Sequence, residues 1–241
     1  RAASGTAAAS EAELLIRHHE ILDRLRTVPP PVKGDTVVCT IDLLENDFFQ
    51  GDVGKKEDLE RFAQKVIQTY GRVDFLVNNA GITKKCRAED FPMEDLERIL
   101  RVNVTGIFSL CQSAYPYLKE SRHKGRIVNI SSMAAHLGFS EVVPYCTSKA
   151  AVCGLTRGLA VEWANDNITV NSIAPGWFPS EMSKQVMTPE RKQAILGRMP
   201  VHAFGDPKDL GAMARFLLGD GAKYITGQDF AVDGGALAYG F

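Results

Sequence analysis

The sequence has no glycine between Gly5 and Gly34, although it holds 21 glycines in 241 residues. Glycine lets backbone turn tightly against a phosphate at a helix N-terminus, so that stretch offers no such turn. The five cysteines (Cys39, Cys86, Cys111, Cys146, Cys153) form no Cys-x-x-Cys pair and are odd in number. That argues against a disulfide framework and predicts a reducing, cytoplasmic setting with most of them buried as small hydrophobes. Charge is balanced, 28 Lys and Arg against 29 Asp and Glu, so no basic excess points to nucleic acid or to an anionic membrane. No run of about 18 apolar residues is present, which excludes a transmembrane helix. After the opening Arg1–Ser10 the chain turns acidic, unlike a basic flank followed by an apolar signal core. Internal repeats and Gly/Ser-rich linkers are also missing, and with 45% hydrophobic residues one average-sized globular domain over 1–241 is expected.

What is present alternates. Short β-branched runs occur at Thr36–Ile41, Phe75–Val77, Arg126–Ile130 and Ile168–Ile173, with a weaker one at Asp229–Val232. Between them lie segments of helical spacing near 55–70, 93–120, 145–164 and 207–218. Strands alternating with helices of this length predict parallel βαβ units and an α/β sheet covered on both faces. The stretch 178–206 has a weaker pattern with three prolines, and reads as a mobile insertion above the sheet. The front 34 residues differ: Ser10 with Glu13 makes a capping box, and Leu14, Leu15, Ile21, Leu22 and Leu25 share one helical face. Pro29–Pro31 ends that helix.

Tyr145 and Lys149 are the most informative pair. A spacing of four puts both on one helix face, and an ammonium beside a phenol favours the phenolate, so the pair can move a proton to or from an alcohol oxygen. An aromatic with a nearby surface lysine satisfies the same spacing. Ser132 ends a strand 13 residues earlier, and parallel α/β sheets place ligands at the carboxyl ends of strands. Its hydroxyl can orient a substrate oxygen toward Tyr145, or simply cap a turn. Asn78-Asn79-Ala80-Gly81 also follows a strand, where small residues let a ligand approach the backbone. Asn103 sits in an apolar helical segment, where a buried amide needs partners.

Together these elements resemble the short-chain dehydrogenase/reductase family. The resemblance runs from Thr36 to Phe241 and rests on Gly51-Asp52-Val53, Asn78-Asn79-Ala80-Gly81, Asn103, Ser131-Ser132, Tyr145-x-x-x-Lys149, Pro175-Gly176 and Val232-Asp-Gly-Gly235, in that order. It implies a Rossmann-like doubly wound fold with an altered first βα unit. It also implies NAD(P)-dependent interconversion of a secondary alcohol and a ketone. By the resemblance Asn103, Ser132, Tyr145 and Lys149 form the catalytic set. Tyr145 is the acid/base, and Ser132 polarises the substrate oxygen. Lys149 lowers the tyrosine pKa and binds the nicotinamide ribose, while Asn103 holds a proton-relay water. Asp52 and Val53 would meet the adenine, Asn79, Ala80 and Gly81 would line its ribose, and Pro175, Gly176, Phe178 and Ser180 would contact the nicotinamide.

The front of the chain departs from the family, whose Thr-Gly-x-x-x-Gly-x-Gly turn lies about 20 residues before the acidic residue ending the second strand. If that residue is Asp42, the window holds the Ser10–Arg26 helix instead. Asp42 would accept hydrogen bonds from the adenosine ribose and favour NAD over NADP. Within the family the chain is most similar to sugar-acid members of the gluconate 5-dehydrogenase type and to 3-oxoacyl-acyl carrier protein reductases. A non-catalytic relative with impaired cofactor binding is the rival expectation. Lys84, Lys85 and Arg87 can attract a substrate carboxylate or form a solvated basic loop. His136 can touch substrate or be an ordinary loop histidine, and Trp177, Phe178 and Phe204 can wall an apolar pocket. The family also implies a homotetramer or homodimer, with the helices near 103–120 and 145–164 between subunits, a small-molecule substrate and no metal.

Overall fold

The computed structural model describes residues 37–40, 48–179 and 188–240. The chain divides into two compact units, residues 1–51 and 52–241. The expected Ser10–Arg26 helix, Asp42 and Ser180 lie outside the described residues.

In the first unit, β1 (Val37–Thr40) and β2 (Phe48–Gly51) pair antiparallel, Val37 opposite Gly51. This corrects the expectation of parallel βαβ units throughout. Residues 41–47 are too few for a parallel crossover, which needs about a dozen, whereas an antiparallel pair needs only a short turn.

The second unit is built on a four-stranded parallel sheet in the order β3-β4-β5-β6. Its strands are β3 (Phe75–Asn78), β4 (Gly125–Ile130), β5 (Ile168–Pro175) and β6 (Asp229–Val232). Its helices are α1 (Lys56–Tyr70), α2 (Met93–Leu100), α3 (Gly106–Lys119), α4 (Val143–Glu162), α5 (Pro189–Arg198), α6 (Pro207–Leu218) and the short α7 (Ala236–Tyr239).

Both faces of this sheet are covered, as its β-branched central strands require. Ile127 and Val170 pack on one face with Ile107, Cys111 and Leu118 of α3 and Val152, Leu159 and Ala160 of α4. Val128 and Ile173, which point the other way by the two-residue repeat of a strand, pack with Leu210, Met213 and Leu217 of α6. The result is a Rossmann-like α/β sandwich. Among the described residues no helix is long and apolar enough to cross a membrane.

Two segments differ from expectation. The single helix predicted over 93–120 is three pieces, α2, a π-helical turn at Arg101–Thr105 and α3. The 178–206 stretch contains α5, which begins where the Thr188 hydroxyl accepts from Arg191 N at 3.2 Å and Pro189 takes the first helical position. Proline there loses no hydrogen bond and enters with φ already helical.

Candidate active site

Because β3, β4 and β5 are parallel and in register, with Asn78 opposite Asn129 and Ile130 opposite Ile173, the segments that follow them leave the sheet at one edge. Asn79–Gly81, Ser131–Ser132 and Gly176–Phe178 are brought together in this way. A buried amide network fixes that edge. Asn78 Nδ2 donates to Asn129 Oδ1 at 2.8 Å, and Asn129 Nδ2 donates to Thr156 Oγ1 of α4 at 2.9 Å. All three residues are buried.

Helix α4 opens on Val143 and Pro144, so Tyr145 stands in its first turn and Lys149 one turn on. The Ser132 side chain acts on the Tyr145 phenol, and Ser132 Oγ accepts from Ala134 N at 3.1 Å. Lys149 is 3% exposed. Its Nζ donates to Ile130 O at 2.7 Å and lies 5.6 Å from the centre of the Tyr145 ring. Burial pushes the Lys149 ammonium down to about 8. Burial raises the Tyr145 phenol above its usual value, with the Ser132 side chain acting in the opposite direction. At neutral pH the site therefore holds a protonated phenol beside a buried ammonium.

Asn103 lies in the π-helical turn and is fully buried. Its Oδ1 accepts from Ile82 N at 2.8 Å, and its Nδ2 donates to Ile82 O and to Ser148 Oγ, both at 2.9 Å. Ser148 Oγ donates to Tyr145 O at 2.8 Å. Both amide hydrogens of Asn103 are thus committed, and the loop after β3 is tied through Asn103 and Ser148 to the backbone of Tyr145. Gly81 completes the cluster: a Cβ there would stand 3.3 Å from Lys149 Nζ and 3.6 Å from Asn103 Oδ1.

The remaining predicted contacts are placed as follows. Asn79 is exposed and Ala80 half-buried. Asp52 Oδ1 accepts from Gly54 N at 2.8 Å, turning that side chain onto its own loop, and Val53 is buried. Pro175 ends β5, and Gly176 N donates to Val232 O at 2.9 Å. Phe178 packs where a side chain on Gly205 would be. Trp177 meets Phe139 edge-on at 6.3 Å and carries the Arg191 guanidinium 6.0 Å from its ring centre, and its buried indole nitrogen has no hydrogen-bond partner. The basic cluster is paired: Lys84 with Asp95, Lys85 with Glu141 at 2.8 Å and Arg87 with Glu89 at 2.6 Å. His136 binds Asp229 Oδ2 at 2.6 Å.

Three members of this network, Asn129, Ser148 and Thr156, escape sequence reasoning. Only Ser148 has a local signal, standing three residues after Tyr145 on the same helix face.

The chain has relatives among known proteins. A family model described as Enoyl-(Acyl carrier protein) reductase matches residues 33–236. The chain is 38% identical over 187 residues to the 3-oxoacyl-[acyl-carrier-protein] reductase FabG of Thermotoga maritima, covering 77% of this chain and 75% of that one. It is 37% identical over 187 residues to the 5-keto-D-gluconate 5-reductase of Escherichia coli, covering 77% and 73%. A gluconate 5-dehydrogenase from Burkholderia cenocepacia, solved in complex with NADP and tartrate, superposes with a TM-score of 0.75 at 30% identity, covering 78% and 74%. On fold, site order and these matches, the chain belongs to the short-chain dehydrogenase/reductase family.

Proposed function

We propose that the chain is an NAD(P)-dependent oxidoreductase that interconverts a secondary alcohol and a ketone, with a sugar acid of the gluconate type as its substrate. The observation that carries this reading is the buried Lys149, whose Nζ lies 5.6 Å from the centre of the Tyr145 ring on the same helix.

The residues fit the nicotinamide end of a dinucleotide. Lys149 offers three donors, of which Ile130 O takes one, and Gly81 leaves the backbone open beside it. Lys149 would hold the ribose hydroxyls, Asn79 to Gly81 and Asp52-Val53 the adenosine half, and Pro175 to Phe178 with Ser180 the nicotinamide. Asp42 would favour NAD. When bound, the nicotinamide supplies or accepts the hydride. Tyr145 gives its phenolic proton to the ketone oxygen in reduction and regains it in oxidation. Ser132 donates a hydrogen bond to the same oxygen. Lys149 places positive charge where the phenolate forms. Asn103 is a positioning residue, since its amide is spent on Ile82 and Ser148.

A second reading, reduction of 3-oxoacyl thioesters, is favoured by two features. The apolar Trp177, Phe178 and Phe204 stand near the β5 edge, and the lysines that would greet a sugar-acid carboxylate are already paired. We also place the protein in the cytoplasm as a homotetramer, with Cys86, Cys111, Cys146 and Cys153 all free. Oxidation of NADH and NADPH with 5-keto-D-gluconate and with an acetoacetyl thioester separates the readings. A kcat/KM about tenfold or more higher for the keto acid, 1.4 kcal/mol in transition-state binding, supports the first. The reverse ratio supports the second, and no saturable binding of either nucleotide overturns both.

A further inference from the structure

Ser131 faces partners that the proposed reaction does not use. Its hydroxyl oxygen stands 2.6 Å from Asp229 Oδ1 of β6 and 2.9 Å from Ile173 O, and Ser172 Oγ of β5 donates to the same carboxylate oxygen at 2.6 Å. The other oxygen, Oδ2, lies 2.6 Å from His136 Nε2 and 3.3 Å from Cys153 Sγ of α4. The imidazole nitrogen, sulfur and carboxylate oxygen all fall within 4.8 Å of one another. Cys153 is 5% exposed and the Asp229 side chain 10%, whereas that of His136 is 42% exposed. The cluster is therefore closed on the protein side and open at the histidine.

This arrangement has the parts of a metal site. Zinc binds nitrogen and carboxylate oxygen at about 2.0–2.2 Å and sulfur at about 2.3 Å. Ligand atoms around one tetrahedral ion then stand roughly 3.3–3.6 Å apart; Cys153 Sγ and Asp229 Oδ2 already stand at 3.3 Å, and the exposed His136 ring is free to re-seat around an ion. Ser172 and Ser131 hold the distal carboxylate oxygen and leave Oδ2 facing the histidine and cysteine, as the outer hydrogen bonds of a metal ligand do. A mixed nitrogen, sulfur and oxygen set suits zinc and not magnesium or calcium, which take oxygen.

We propose that His136, Cys153 and Asp229 bind one zinc ion, with a fourth position open to water beside His136. The ion ties the loop that follows Ser132 to α4 and β6, and so braces the serine that faces Tyr145. On binding, the Cys153 thiol releases its proton to the buffer.

The test is anaerobic titration of the tag-free full chain with Co²⁺, read by the near-ultraviolet thiolate-to-cobalt absorption and by a pH indicator. One Co²⁺ per chain is expected, with proton release and displacement by Zn²⁺. Cys153→Ser should remove the band. His136→Gln, at an exposed position that leaves folding intact, should weaken Co²⁺ binding by about tenfold or more. Absence of a saturable band, a band that persists in Cys153→Ser, or parent affinity in His136→Gln overturns the assignment. None of these readouts depends on catalysis.

Discussion

Asn103 grips the backbone of Ile82 by both ends of its amide, accepting from Ile82 N at 2.8 Å and donating to Ile82 O at 2.9 Å. With its second amide hydrogen on Ser148, whose hydroxyl reaches Tyr145 O, it links the loop after β3 to the first turn of α4. The π-helical turn at 101–105 places a polar residue in an otherwise apolar packing face, and such turns recur at functional sites.

Asn103→Ala should therefore do two things. It strands buried backbone and hydroxyl groups, each worth about 1–3 kcal/mol when left unpaired, so the Tm should fall by several degrees. It should also lower kcat more than it raises the KM for NADH, because the Tyr145 turn loses its tether. Unchanged kcat in a destabilised variant would restrict Asn103 to a packing role.

Gly81→Ala puts a methyl group 3.3 Å from Lys149 Nζ, and the ammonium must give way. NADH binding should weaken by about tenfold, the scale of one disturbed hydrogen bond, with little change in Tm. Isothermal calorimetry checks this.

Lys149 predicts a pH signature in stability. Its pKa is about 8 when folded, against the ordinary 10.5. The unfolded chain binds the extra proton between those values, so the charged lysine destabilises the fold fully below pH 8. The penalty is relieved as pH rises from 8 toward 10.5. Lys149→Met should gain stability relative to the parent at pH 7, by up to about 3 kcal/mol, and the gap should close by pH 10.5. Urea unfolding of both proteins across that range measures it, and a gap that widens with pH would contradict the assignment.

Gly176→Ala tests the corner where β5 enters the site. A Cβ there would lie 2.6 Å from Asp233 Cα, which is backbone and cannot swing aside. Asp233 in turn accepts from Gly235 N and Leu237 N at 3.0 and 2.8 Å. Overpacking of this kind costs about 1–3 kcal/mol, a Tm loss of roughly 2–10 °C for a chain of this size.

Much of this was legible in the sequence because the signals are local. The β-branched runs at 75–77, 126–130 and 168–173 became β3, β4 and β5, and the four-residue spacing of Tyr145 and Lys149 placed them on one helix face beside Ser132. The antiparallel pairing of β1 and β2 was not read, because β-branched runs show a strand but not its direction. The length of the 41–47 connection was the clue. Helix α5 was hidden because Ile195 is its one buried residue, too little to make an apolar stripe. Asn129 and Thr156 were invisible for another reason. Their partners lie 27 or more residues away, and only the folded sheet brings them together.

The central claim is that Tyr145 carries the proton in a nucleotide-dependent hydride transfer. Tyr145→Phe measures it most directly, with NADH binding followed by fluorescence and turnover by NADH oxidation in the presence of 5-keto-D-gluconate or an acetoacetyl thioester. Phenylalanine keeps the ring against Lys149 and removes only the hydroxyl. Turnover should fall by about 10²–10⁴-fold while the NADH Kd stays within about twofold, less than 0.5 kcal/mol. Turnover retained at the parent rate would contradict the claim.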